Sequence, residues 1–581
     1  MITDVKQTLK YESEQPNSLY DPNGSFQSIN RRYDIVYGDV MLNFNYNINR
    51  FDIAATVGWT GRYENMNNIR VSTNGGLVTE NWFDLNASRY TPSSTLQRME
   101  LLKTGYMGTL SLGWDNYLFL ELTGRQERSS TLKDQSFFYP SANLSFLFTQ
   151  AFHMPSWWNY GKLRLSYGIV GNAPETYTAN IVYEQGSDNG FTWNTIPSSW
   201  GNADIRPEKK YEYEIGLESK FLNNRLGIDV SYYNNRVKDQ ILSTPQPSTS
   251  GVKNVLMNVG EVANHGWDIS ISATPILTRD FRWDLTANYG VYKNKVVKLA
   301  DGVPYLEILN SGGSGIKIQA VEGQPMGDIY AQVPQVNENG EYLVSDKGLY
   351  LNQTELQKVG NINPAGVGGL FNSFSYKNVF LDFSIDFRIG GDVINEMNQY
   401  ATAVGLTPES LKYRDTEHGG LSYYYPGDNN SSGIPVQVDP STGAGPNGEI
   451  IYHDGIILPG VVASTGERNT RIIPAGYYYN TTYNWGTEAE QLTYRHSVFD
   501  NSYVKLRELT IGYQFPEKMI SKLGLGRLSV SVFGRNLFYF YKALKNYDAE
   551  SSVGTSWANQ ATVGSSTTAT RSFGVSLRAS F

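Results

Sequence analysis

The sequence predicts an all-β fold, a transmembrane antiparallel β-barrel with short periplasmic turns and long extracellular loops. Three observations carry that reading. Apolar and polar residues alternate with period two in run after run, which sends successive side chains to opposite faces of a strand. Tight connections at Asn49-Arg50, Asp115-Asn116 and Asn223-Asn224 alternate with excursions at 60–104, 171–208 and 390–497, the pattern of outer-membrane barrels. The composition, 41 Tyr and 56 Gly among 581 residues at a mean hydropathy of −0.39, suits strands with one wet face, aromatic belts and polar loops.

The elements follow in order. Residues 1–30, with Pro16, Pro22 and Gly24, read as a polar loop. Leu42, Phe44, Tyr46 and Ile48 alternate with asparagines, turn at 49–50, and continue as Phe51, Ile53, Ala55, Val57 and Trp59: a hairpin. After the polar stretch 60–104, Tyr106 to Trp114 runs up and Leu118 to Leu122 runs back, ending at Gly124-Arg125. Phe137–Phe148 and Leu163–Ile169 form the next pair. Tyr211, Tyr213, Ile215 and Leu217 precede the Asn223-Asn224 turn, and Leu226, Ile228, Val230 and Tyr232 follow it. Further strands run through Trp267–Ala273, Phe281–Val291 and Leu381–Ile389. Their polar faces carry Glu214, Asp229, Asp284, Asp386 and Arg388 at mid-strand. Strands of about 9–12 residues exceed those usual in sandwiches. Residues 390–497 lack alternation and read as elaborate surface loops, with a helical turn hinted at Glu409–Tyr413. In the last strand Phe573, Val575, Leu577 and Phe581 share one face; Ser572, Gly574, Ser576, Arg578 and Ser580 share the other.

Several classes fall away. A formal net charge of −8 and the lack of a basic run argue against a nucleic-acid partner. Without cysteine there is no disulfide framework, thiolate metal site or cysteine nucleophile. No apolar run approaches the roughly 20 residues of a membrane helix, which leaves barrels untouched. Met1-Ile-Thr-Asp-Val-Lys does not open a signal peptide. The five histidines form no HExxH pair, and no GxSxG elbow stands in a strand–turn–helix context. No catalytic residue and no cofactor is expected.

Separate motifs in a fixed order then carry a resemblance. They include YGKLRLSYGIVGNAP at 160–174, RPEKKYEYEIGLESKFLNNRLGIDVSYYNNRVKDQIL at 206–242 and NVGEVANHGWDISI at 258–271. VGNINPAGVGGLFNSFSYKNVFLDFSIDFRIGGDV at 359–393, YVKLRELTIGYQFP at 503–516 and LSVSVFGRNLFYFYK at 528–542 follow. From about residue 105 onward the chain resembles the SusC/RagA class of TonB-linked (TonB-dependent) outer-membrane transporters of Bacteroidetes. The resemblance implies a cell-outer-membrane location and a parent barrel like the 22-stranded plugged transporters. It implies import of an oligosaccharide or peptide without chemistry on the substrate. Its partners are a SusD-like surface lipoprotein as lid, outer-membrane lipid, and the TonB–ExbB–ExbD complex acting through a plug. Family members begin with a signal peptide, a plug and first strands that are not legible here. Residues 1–581 are therefore expected to be the C-terminal part of such a barrel. An open wall leaves unpaired edges that lipid does not tolerate, so this polypeptide alone is expected neither to insert nor to transport. Phe581 then resembles the C-terminal aromatic used in barrel closure and assembly. The rival reading is a non-transporting barrel or glycan-binding surface adhesin; a soluble all-β enzyme ranks third.

Candidate sites lie in loops. Trp193, Trp200, Tyr423, Tyr424, Tyr425, Tyr477, Tyr478 and Tyr479 stand beside Asn, Asp and Gly, where aromatic faces suit glycan or peptide capture; packing within the loop explains any one of them equally well. Asp439, Asn447, Glu449 and Asp454 are oxygen ligands a calcium ion could take, though turn chemistry accounts for them too. Gly171-Asn172, Gly260-Glu261 and Gly390-Gly391-Asp392 sit at strand ends where positive φ is useful. Asn536 interrupts an apolar face, which suits a hydrogen bond to a neighbouring turn. Trp114, Trp267 and Trp283 suit a lipid-facing belt.

Overall fold

The structure, a computed structural model, describes residues 2–13, 23–133, 136–188, 190–246, 249, 251–311, 315–427, 433–484, 493–551, 557–563 and 569–580. Two compact units divide the chain. The first comprises Met1–Ser219, Ser231–Asn264 and Ala300–Val303, and the second Lys220–Val230, His265–Leu299 and Pro304–Phe581.

In the first unit seven strands pair antiparallel in chain order: Ile2–Ser13, Ser25–Ile48, Phe51–Leu77, Ser88–Trp114, Leu118–Ser129, Ser136–Phe146 and Trp158–Asn172. Their register explains the alternation. Asn43, Thr56, Thr109, Thr123 and Ser141 stand side by side across five strands. Thr56 donates to Asn43 at 2.7 Å, and Thr123 and Ser141 share a hydrogen bond of 2.6 Å. The neighbouring row, Phe44, Ala55, Leu110, Leu122 and Ala142, is apolar. Val40, Leu42, Phe44 and Tyr46 are all about 60 % exposed. A large apolar face turned outward, with polar rows on the other side, is the arrangement for hydrocarbon outside and water inside.

Residues 60–104 are not a loop: the hairpin ladder continues through them, from Thr60↔Gly105 to Ser72↔Ser93. Asn67, Asn68, Arg70 and Ser72 give neither face an apolar stripe, so the strand rests on backbone pairing that periodicity does not reveal. Residues 1–30 likewise contain the pair Ile2–Ser13 and Ser25–Ile48, matched from Ile2↔Val36 to Ser13↔Ser25. The strand expected to end at Gly124-Arg125 runs on to Ser129. Gly171-Asn172 ends the strand Trp158–Asn172 as read, but Gly171 does not take a positive φ; its role is close approach, since a Cβ there would stand 2.9 Å from the Tyr139 ring.

The tight turns form as read. Asn49 has φ 55°, Asp115 52° and Asn116 58°, values that Asn and Asp tolerate better than β-branched residues. Asn49→Val should cost about 1–2 kcal/mol, measured as a shift in urea unfolding of refolded protein; an unchanged midpoint would show that the turn does not depend on this residue.

In the second unit Phe281–Lys298, Gly366–Tyr376, Val379–Ile389, Tyr503–Gln514, Arg527–Lys542 and Ser572–Ser580 pair antiparallel in the same sequential way. Leu222, Asn223 and Asn224 turn one hairpin at φ 55–62°. Trp283 stacks on Phe374 at 5.5 Å and donates Nε1–H to Asn372 Oδ1 at 3.1 Å; Trp114 and Trp267 are exposed. Asn536, at φ 53°, sits in a bulge: its Oδ1 accepts from Arg507 at 3.0 Å and its Nδ2 donates to the Thr570 carbonyl at 3.3 Å. Two excursions rise from this ladder. Residues 305–361 carry a four-stranded sheet with Ile316, Ile318 and Ile329 fully buried. Residues 390–501 hold a small sheet and two helices, Glu396–Ala403 and Ala475–Tyr483. The expected helical turn appears as Pro408–Leu411. Phe581 lies outside the described residues.

Candidate functional site

The second excursion begins at a narrow neck. Gly390 and Gly391 adopt φ 68° and 78°, which frees the chain from the wall strand, and Asp392–Ile394 then pairs with Val498–Asp500. Asn395 caps the first helix, its Oδ1 accepting from the Asn398 amide at 3.0 Å. The second helix starts after Pro474 and carries AGYYYNTTY.

Helical spacing decides which tyrosines meet. Tyr479 and Tyr483 stand four apart on one face, with ring centroids 5.6 Å apart. Tyr478 packs edge-on to Tyr483 at 6.1 Å. Tyr350 and Tyr413, from distant segments, pack with Tyr477 and Tyr478 against Leu349, Ile456, Leu458 and Ile473. Together Tyr350, Tyr413, Tyr478, Tyr479 and Tyr483 line a cavity of about 510 Å³ with Leu421, Ile456, Ile457 and Leu458. Exposed Glu409 and Lys412 stand at it, three residues apart. Tyr479 hydroxyl donates to the carbonyls of Glu409 and Lys412 at 2.8 and 3.3 Å. The Lys412 ammonium lies 4.7 Å from the Tyr413 ring centroid. Burial pushes the Tyr478 phenol far above its ordinary value, and Tyr350 and Tyr479 up to about 12. All three are neutral at physiological pH and keep their protons for donation.

Behind this wall His496 stacks on Tyr483 at 4.3 Å and 15°. Burial, with Arg495 beside it, pushes its imidazole down to about 4 from an ordinary 6.5. The unfolded chain takes up this proton near 6.5 and the folded chain only near 4. Stability is therefore intact above pH 6.5 and falls as the pH drops toward 4. His496→Gln should flatten that acid limb, by on the order of 2 kcal/mol at pH 4. Amide exchange across 475–483 at pH 4.5 and 7.5 checks it; equal acid sensitivity in both proteins would refute it.

The other sequence candidates fall elsewhere. Tyr423 and Tyr425 are buried beneath the loop sheet, where Tyr423 hydroxyl donates to Asp454 Oδ1 at 3.1 Å; Tyr424 is half-buried. Trp193 lies exposed on the hairpin Glu184–Asp188 and Phe191–Thr195, its ring over Gly186. Trp200 is half-buried, edge-on to Tyr183 at 6.0 Å. Of the candidate calcium ligands only Asn447 and Glu449 are seen joined; Asp439 and Asp454 take other partners. Asp439 Oδ1 accepts from the Ser441 amide and hydroxyl at 2.9 and 2.5 Å. Glu449 accepts from the Asn447 amide, the Asn447 side chain and the Gly427 amide, which hold its carboxyl down to about 2. Among the described residues no group of three His, Asp or Glu side chains is placed to hold a metal ion. Sequence reading passed over Tyr350, Tyr413, Tyr483, Glu409 and Lys412. For Tyr483 the available signal was its spacing of four from Tyr479, usable only once a helix is assigned.

Known proteins align with this architecture. Residues 3–329 match the family model described as TonB dependent receptor-like, beta-barrel. TonB-dependent receptor P3 of Formosa agariphila is 24 % identical over 494 residues, covering 77 % of this chain and 42 % of that protein. TonB-dependent receptor SusC of Bacteroides thetaiotaomicron is 30 % identical over 247 residues, 39 % of this chain and 24 % of SusC. The matched stretches thus cover less than half the length of these relatives. Among solved structures, the RagAB peptide transporter superposes with a TM-score of 0.67 at 19 % identity, covering 94 % of this chain and 56 % of that one. At that identity the likeness establishes the fold.

Proposed function

Because this chain belongs to the TonB-dependent receptor β-barrel family, whose members reside in the outer membrane, we propose that residues 1–581 form the C-terminal part of a transporter barrel. The complete receptor imports a nutrient, an oligosaccharide or a peptide. Energy comes from TonB–ExbB–ExbD acting on a plug, and a SusD-like surface lipoprotein closes over the loops. Members of this family transport and do not alter their cargo chemically.

One observation carries the reading: the tyrosine-lined cavity that the excursion 390–501 forms with Tyr350, a concave site with aromatic walls and two charged residues at it. Import needs a site that captures a soluble molecule and releases it again, and uncharged aromatic faces suit that. A Bacteroidetes strain lacking the receptor, complemented with the full-length gene, should accumulate labelled oligosaccharide or peptide in the periplasm only when TonB is present. The lipoprotein should co-purify with the receptor. Surface binding without TonB-dependent uptake would overturn transport in favour of an adhesin.

A further inference from the structure

We propose that the cavity formed by the excursion 390–501 and Tyr350 takes a short peptide with free termini and a bulky apolar side chain, rather than a glycan. This rests on the uptake reading above and narrows its substrate class.

The lining carries the argument. A pyranose presents several hydroxyls around its ring, and capturing it takes polar side chains alongside an aromatic face. The cavity supplies few. Leu421, Ile456, Ile457 and Leu458 make its aliphatic wall, and among the described residues no amide, serine or threonine side chain lines it. The tyrosine hydroxyls are largely spent within the protein. Tyr479 donates to the Glu409 and Lys412 carbonyls, and Tyr478 and Tyr483 hydrogen-bond each other. Sugar hydroxyls placed there would lose water without a replacement partner.

A peptide meets the same surfaces without that loss. Its apolar side chain enters between the rings and the aliphatic residues. Its charged ends meet Glu409 and Lys412. Glu409 Oε2 stands 3.4 Å from Asn546 Nδ2, and the Lys412 ammonium rests on the Tyr413 ring. Both are weak, solvent-facing engagements. The carboxylate can turn to an α-amino group, and the ammonium to an α-carboxylate. One acid and one base three residues apart match a zwitterion and have no counterpart on a neutral oligosaccharide.

The test uses the full-length receptor with its lipoprotein, purified in detergent, and isothermal titration with three probes: the tetrapeptide Ala-Leu-Phe-Ala, the same peptide acetylated and amidated, and maltotetraose. Free peptide should bind, capped peptide at least about tenfold more weakly, and maltotetraose not measurably. The exposed double neutralisation Glu409→Gln with Lys412→Gln should weaken free peptide about tenfold or more and leave capped peptide unchanged, with heat-modifiable migration confirming the folded barrel. Leu421→Asn should weaken both peptides. Maltotetraose binding that Leu421→Asn reduces, with no peptide binding, would overturn the substrate class while leaving the cavity as the capture site. Peptide binding indifferent to every variant would overturn the placement. Binding by neither probe would overturn the inference and the capture reading together.

Discussion

Arginine in place of Val575 should cost the folded barrel about 2–4 kcal/mol in a bilayer, whereas arginine at the adjacent Ser576 should change stability by less than about 0.5 kcal/mol. Strand Ser572–Ser580 alternates strictly, and Phe573, Val575 and Leu577 are 73 %, 71 % and 68 % exposed. Val575 stands opposite Val532, itself 58 % exposed, so the two make one apolar patch facing lipid. Ser576 stands opposite Ser531 on the other face. A guanidinium at 575 must be drawn out of hydrocarbon, while at 576 it stays in water. Urea unfolding of the full-length receptor in lipid vesicles, followed by tryptophan fluorescence, compares the two. Equal losses would mean that this strand does not present Val575 to lipid.

The second large effect is expected at Glu550. Lys505 is the most deeply buried charge of the second ladder, 1 % exposed, and its ammonium donates to Glu550 Oε2 at 2.5 Å. Arg507 reaches both oxygens of the same carboxylate, at 2.8 and 2.6 Å, and also grips Asp386 on the neighbouring strand. Two cations and two anions balance in this knot. It fastens the segment around 543–551 to the wall, and Asn501 Nδ2 adds a bond of 2.9 Å to the Ala549 carbonyl. Glu550→Ala removes one partner and strands Lys505 without water, which costs about 3–5 kcal/mol. Adding Lys505→Met should recover much of that loss, because the orphaned charge is then gone. Protease cleavage and amide exchange in 543–551 give the readout. If Glu550→Ala leaves both unchanged, the knot does not hold the segment.

The legible parts of this chain were those where local chemistry repeats. Asn43 to Thr56 could be read as a hairpin because alternation and αL-tolerant asparagine agree. Gly390 and Gly391 mark the end of a wall strand for the same reason: only glycine accepts successive positive φ cheaply. Residues 60–104 were illegible because a ladder with polar residues on both faces carries no hydrophobic period. The bulge at Arg507 and Asn536 was half legible. Asn536 broke the apolar face visibly, but nothing in the one-dimensional pattern pointed to Arg507 as its partner, since the slipped register that brings them together is a property of three strands at once.

The sequence by itself determined the strands that alternate, which of their faces is apolar, and the family, because side-chain period and motif order are local properties. Tertiary structure decided the site. Tyr350, Tyr413, Tyr478 and Tyr483 are spread over more than a hundred positions and converge only because a short helix and a loop sheet pack on Leu349, Ile456 and Ile473. The same packing took Tyr423 and Tyr425, as promising in sequence as any, and buried them as core. Aromatic rings serve equally as packing and as binding surface, and only the three-dimensional neighbours of each ring settle which it becomes.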